Sequence, residues 1–93
     1  MAVCLVMQFT GVDAAKYEAV MEELGLQSAN ANWPKGIISH IAGSDGMYVV
    51  DVWESQRDFD TFADSRLKPA FEAVGGLLMP RVTTFDVHNS YCT

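Results

Sequence analysis

Few side chains in this sequence can do chemistry, and the best of them sit in apolar runs. His40 lies in Ile37-Ile38-Ser39-His40-Ile41-Ala42, and Asp51 in Met47-Tyr48-Val49-Val50-Asp51-Val52-Trp53. Both runs are rich in β-branched and aromatic residues and read as strands. Gly43-Ser44-Asp45-Gly46 between them reads as a hairpin turn. If the turn sets Ala42 opposite Met47, His40 faces Val49 and Ile38 faces Asp51. His40 and Asp51 then lie diagonally on one sheet face, with roughly 7–8 Å between Cα atoms. A carboxylate on one ring nitrogen fixes the tautomer and raises the basicity of the other. A proton acceptor for a phenol or an acidic C–H is built in this way. The alternative is an ion pair alone, because a carboxylate inside an apolar strand needs partners. Arg66 and Arg81 are its other candidates. A register slip of one residue would separate His40 from Asp51.

His88, in Phe85-Asp86-Val87-His88-Asn89, is a weaker catalytic candidate. Strand parity puts it on the face of Asp86 and Thr84; surface exposure or a subunit contact is the alternative. No third ligand stands near either histidine at a metal-site spacing, so no metal is expected. The sequence has no CxxC, HExxH, phosphate-binding or dinucleotide glycine motif, so no organic cofactor is expected either. Two cysteines cannot make a disulfide scaffold. Cys4 reads as a small buried hydrophobe and Cys92 as a mobile residue near the end. Trp33 stands beside Pro34 in the polar stretch 27–36, as a lid for a planar ligand or a plug over a helix edge. Trp53, Phe62 and Phe71 are the expected substrate-binding residues. Trp53 shares parity with Asp51; Tyr48 falls on the opposite face. Tyr17 and Phe59 read as core.

The elements that must position these residues alternate β-α-β, β-α-β. Residues 2–9 form a strand apolar on both alternating sets, which must be covered on both faces. Asp13 is an N-cap, with Val12 and Tyr17 at hydrophobic-staple spacing. Tyr17, Met21 and Leu24 make a helical stripe that Gly25 closes. Ser55 and Asp58 stand at capping-box spacing, followed by the stripe Phe59, Phe62, Ala63 and Leu67. Pro69 is expected to interrupt this helix, with a further turn over 70–74, and residues 81–88 form the last strand. The layout over 1–93 is one ferredoxin-like α+β domain, a four-stranded antiparallel sheet with helices on one face. Its first and third strands are apolar on the uncovered face too. A second copy of the chain is therefore expected there, making a homodimer through the sheet.

Composition narrows the partners. The 93 residues carry a net charge of −6, with only six Lys and Arg. A phosphate-tracking groove for nucleic acid and an anionic membrane surface are both excluded by that balance. Hydrophobic residues at 49 % and charged residues at 19 % exclude a disordered chain. No apolar run approaches the ~18 residues of a membrane span. Met1-Ala2-Val3-Cys4-Leu5 has no basic region before its apolar stretch, so the cytoplasm is the expected location.

The stretch 36–67 resembles the dimeric α+β barrel superfamily, and within it the antibiotic-biosynthesis-monooxygenase-like domains. The residues that carry the likeness are Gly36, His40, Ala42, Val50-Asp51-Val52-Trp53-Glu54-Ser55, Phe59 and Phe62, with the Tyr17-bearing helix extending it over nearly the whole chain. The resemblance implies two ferredoxin-like sheets packed face to face, and a pocket between helices and sheet in each subunit. It does not single out a reaction, because one fold hosts many. The haem-degrading branch implies a Trp where this chain has Phe62 and a haem-ligating His where it has Phe71, and Phe cannot ligate iron. The alkylresorcylic acid cyclase implies two histidines that fall on Met47 and Phe71. The cofactor-free monooxygenases remain, in which the enolate of a phenolic or anthrone-like substrate carries electrons to dioxygen. The expected function is thus a small cofactor-independent enzyme, monooxygenase-like or cyclase-like, acting on a compact apolar or aromatic molecule. The alternatives are a non-catalytic ligand-binding or stress-associated homodimer, and a ligand-sensing domain that works through a partner protein.

Overall fold

The structure is a computed structural model describing residues 1–28, 31–76 and 79–91. Cys92 lies outside these residues. β1 (Val3–Gln8), apolar on both faces, takes an interior place in the sheet. It pairs antiparallel with β3 (Tyr48–Trp53) on one side and β4 (Arg81–Asp86) on the other. β2 (Ile37–Ala42) pairs antiparallel with β3, giving the order β2-β3-β1-β4 of a split β-α-β fold. The inward set of β1 and β3 is Val3, Leu5, Met7, Val49, Asp51 and Trp53, all buried. Against it pack α1 (Ala14–Leu24) and α2 (Gln56–Phe62), through Val20, Met21 and Phe62 among others.

The caps follow the sequence. Asp13 accepts from the Lys16 N–H at 2.8 Å, and Ser55 accepts from the Asp58 N–H at 3.1 Å. Gly25 closes α1 with φ 73°, and Leu26 N–H returns to Met21 C=O at 3.0 Å. The second helix departs from expectation at Pro69. It does not stop there, but widens into a π-helical turn, Ala63–Leu67, and continues as α3 (Lys68–Ala73). Lys68 N–H bonds to Ala63 C=O, five residues back. That wider turn separates the Pro69 ring from the carbonyl of the preceding turn, with which it would collide in a regular helix.

The β2–β3 hairpin differs in register. His40 lies directly opposite Asp51 and Ala42 opposite Val49, not Met47. Gly43 N–H bonds to Tyr48 C=O at 2.8 Å, so the loop is shifted one residue along the chain. Two contacts set the shift. Met47 C=O is taken by the Phe9 N–H at 2.7 Å, and the Asp45 carboxylate accepts the Met47 N–H at 2.9 Å. Gly46, at φ 79°, lies against the backbone of Asp13, where a Cβ would overlap the Asp13 carbonyl. A bulge between Ile37 and Ser39 lets Ile37 face the helices together with His40. β4 ends at Asp86, two residues earlier than expected, and His88 is exposed beyond it.

The other sheet face has no cover in the single chain. Ile41 is 61 % exposed, Phe85 53 % and Tyr48 47 %. Among the described residues no helix is long and apolar enough to cross a membrane.

Candidate functional site

The site grows from one inward position on each of β2, β3 and α1. Asp51 is 4 % exposed and lies between the flanking inward residues Val49 and Trp53. It is served twice: one carboxylate oxygen takes the His40 Nδ1 at 2.6 Å, the other the Trp53 indole N–H at 3.2 Å. A carboxylate only accepts, so His40 Nδ1 carries a proton and donates it. In the neutral imidazole Nε2 then keeps its lone pair, and the Tyr17 hydroxyl meets it at 2.7 Å. Tyr17 is therefore the donor there. Burial first, then the negative charges of Glu18 and Asp51, hold its phenol above the ordinary value, which keeps the O–H intact. No buried side-chain nitrogen or oxygen among the described residues lacks a partner.

Trp33 tilts over the imidazole face at 5.4 Å between centroids, while the Tyr17 ring, within 9° of parallel at 6.1 Å, lies beside it with its hydroxyl at Nε2. Trp33 is itself tethered, its indole N–H donating to Ser28 C=O at 2.9 Å. Beneath, Trp53 is fully buried and edge-packed by Phe59 at 5.6 Å. On one side of His40 opens a cavity between helices and sheet, lined by Tyr17, Trp33, Phe62, Phe71 and aliphatic side chains, with Asp51 the only carboxylate among the described residues that line it. Its volume is about 60 Å3. A cavity that admits benzene is nearer ~150 Å3, so a ring enters only if a wall residue moves. On the other side a shallow groove is lined by Trp33, Ile37, Ile38, Ser39 and His40.

The expected site residues therefore fall into three groups. His40 and Asp51 are brought together, opposite each other instead of diagonally, since the register differs by two and parity survives. Trp33, Phe62 and Phe71 line the cavity. Trp53 does not: it lies beneath the site and holds the second oxygen of Asp51, so its expected place in the pocket wall is corrected to a support. His88 is corrected as well, to an exposed residue past the last strand that does not line the cavity. Arg66, a candidate partner of Asp51, instead donates to Leu24 C=O at 2.9 Å and lies 5.6 Å over the Phe62 ring. Tyr17 is what sequence reasoning missed. A tyrosine at a staple position needs a partner for its hydroxyl, and that requirement was the available signal. Cys4 is buried, and burial followed by the charge of Asp51 raises its thiol pKa, so it is a poor nucleophile. Among the described residues no group of three His, Cys, Asp or Glu converges as a metal site would require.

The four-stranded antiparallel sheet with helices on one face is shared with several solved structures. A protein of Chloroflexus aurantiacus assigned to the antibiotic biosynthesis monooxygenases superposes with TM-score 0.67 at 14 % identity, over 99 % of this chain and 98 % of its own. SnoaB, a cofactor-independent oxygenase from Streptomyces nogalater, superposes with TM-score 0.62 at 20 % identity, over 96 % and 95 %. A monooxygenase from the gene ActVA-Orf6 of Streptomyces coelicolor, solved with Nanaomycin D, gives TM-score 0.53 at 22 % identity, over 99 % and 91 %. The chain has the fold of these antibiotic-biosynthesis-monooxygenase-like proteins. No protein-family model and no curated protein matches the sequence.

Proposed function

We propose that this protein is a cofactor-independent oxygenase for a compact, largely apolar molecule with an acidic phenol or methylene. The observation that carries the reading is His40 held between Asp51 and Tyr17 at the wall of an apolar cavity. Asp51 fixes the tautomer and stabilises the imidazolium that forms when His40 takes a proton. The substrate anion then delivers electrons to dioxygen. For a methylene, both C–H bonds break and the carbon becomes a ketone. One atom of dioxygen enters that ketone and the other leaves as water, so the substrate supplies all four electrons. Trp33 is the lid, and Phe62 and Phe71 form the wall against the substrate ring. That two proteins of the same fold are described as a cofactor-independent oxygenase and a monooxygenase supports the choice of reaction class.

The active form is a homodimer joined through the exposed sheet face. The support is Ile41, Tyr48 and Phe85, each large, apolar and about half exposed or more on one face. Gel filtration then gives twice 10.2 kDa, and Phe85→Asp shifts the population toward the single chain.

Oxygen uptake with a panel of phenols, naphthols and anthrones tests the reading, in wild type and His40→Ala, with circular dichroism to check folding. Uptake in wild type that falls about 10²–10⁴-fold in the variant is the expected result. Undiminished uptake in a folded His40→Ala protein, or no uptake across the panel, overturns it.

A further inference from the structure

The hydrogen bonding around His40 raises a difficulty for direct proton transfer, and its resolution assigns a role to Tyr17. Only the Nε2 lone pair can take a proton, because Nδ1 is committed to Asp51 at 2.6 Å. In-plane approach to Nε2 is the direction that Tyr17 occupies, with its oxygen at 2.7 Å. Trp33 lies over the ring at 5.4 Å, and a lone pair held in the ring plane is not met from the face, so the Tyr17 oxygen is the group that a substrate meets on the way to it. Tyr17 also lines the cavity. Its hydroxyl spends its one hydrogen on His40 and keeps two acceptor lone pairs.

We propose that Tyr17 is the catalytic residue that meets the substrate, relaying its proton to His40. The inference rests on the function proposed above and deepens it. The substrate O–H donates to the Tyr17 oxygen. In the transfer that O–H bond breaks and a new one forms on Tyr17, while the original Tyr17 O–H bond breaks and an N–H bond forms on Nε2. One proton is passed and no electron moves. The substrate becomes an anion and His40 an imidazolium beside the Asp51 carboxylate. Tyr17 ends neutral as it began, which suits a phenol held above its ordinary pKa by burial. The same geometry selects the ligand. Among the described residues that line the cavity Asp51 is the only carboxylate, and no lysine or arginine stands there to pair with an anion. The substrate is therefore uncharged before it is deprotonated, with one acidic hydroxyl at its inner end.

The test uses para-nitrophenol, whose phenolate absorbs in the visible, in buffer below the probe's own pKa. Binding is measured by ultrafiltration and ionisation by difference absorbance, on wild type, Tyr17→Phe and His40→Ala. The relay predicts ionised bound probe in wild type, and about tenfold less phenolate per bound molecule in both variants, one unit of effective acidity. Ionisation retained or increased in Tyr17→Phe but lost in His40→Ala overturns the relay, since Tyr17 is then a plug before a base that works directly. Loss of probe binding in Tyr17→Phe also overturns it, because the hydroxyl then serves affinity. Bound probe that stays un-ionised in wild type, or no binding to wild type, overturns the relay and the proposed function together. A proton inventory on oxygen uptake adds a second readout: two protons in flight in wild type, one if His40 acts alone.

Discussion

Asp51→Asn separates the chemistry of the site from its contribution to stability. The amide is nearly isosteric with the carboxylate, so packing around this 4 %-exposed position is unchanged. Its carbonyl oxygen can still accept the Trp53 indole N–H, now made at 3.2 Å. Its amide nitrogen then faces His40 Nδ1 and can only donate. The imidazole must switch tautomer, with Nδ1 accepting and Nε2–H now donating to the Tyr17 oxygen. The two bonds of His40 are kept in reversed sense and that of Trp53 in its present one, but one charge-assisted bond becomes neutral. Such bonds are about twice as strong as neutral ones, so the cost is about 1 kcal/mol. For a domain of this size that lowers Tm by roughly 4–8 °C. Against a total of about 5–14 kcal/mol for 93 residues, the protein stays folded. Proton acceptance does not survive, because no lone pair on His40 remains toward Tyr17. Oxygen uptake should fall about 10²–10⁴-fold with the fold intact. Calorimetry gives the first number, the oxygen electrode the second, and nitrogen-15 shifts of the His40 ring report the tautomer directly. A stable Asp51→Asn protein with full activity, or with Nδ1 still protonated, would refute the reasoning.

Asp51→Ala, in contrast, strands the indole N–H of fully buried Trp53 as well as His40 Nδ1, and should cost about 2–5 kcal/mol in urea titrations. Gly46→Ala should cost about 2 kcal/mol or more, because positive φ and the Asp13 carbonyl both oppose a Cβ; Gly25→Ala, at φ 73° in open space, should cost only about 1 kcal/mol. Phe71→Ala removes a 4 %-exposed ring and should cost about 3–5 kcal/mol while admitting larger ligands, as read by thermal shifts with naphthols and anthrones. Alkali should weaken the fold through groups whose folded pKa is raised. Their contribution is complete below the unfolded values, 9.0 for Cys4 and 10.0 for Tyr17, and is lost as pH rises through the higher folded values. Tm should therefore decline above pH 9.0, and Tyr17→Phe should flatten the part of the decline that begins at 10.0.

The strands and caps were legible because each rests on local chemistry: Asp13, Ser55 and Gly25 cap helices for reasons visible within four residues. The His40–Asp51 pairing was legible as a shared face, since parity is preserved by a two-residue change of register. Its directness was not, because the Met47 carbonyl that sets the register is claimed by Phe9, distant in sequence. Parity also placed Trp53 on the correct face without giving its depth. Opposite Val3 at the end of β3 and packed against Phe59, it reaches Asp51 and does not line the cavity. Tyr17 was hidden by its own periodicity: the spacing that makes it a core residue says nothing of the hydroxyl at its tip, which finds a partner 23 residues away.

The π-helical turn at Ala63–Leu67 has a consequence for how the chain could be shortened. At about 100° per residue, Phe62 and Phe71 in an unbroken α-helix would point about 180° apart. The wide turn absorbs one residue, which brings the two directions to within about 80°. Both rings can thus border one cavity. In angular terms the second helix carries one residue more than its buried face uses, and the surplus sits among the exposed side chains Asp64 and Ser65. Loss of either would leave Phe59, Phe62, Leu67 and Phe71 aligned on a regular helix. Pro69 would then collide with the carbonyl of the preceding turn, so a deletion there combined with Pro69→Ala is a change of chain length that should leave the cavity wall in place.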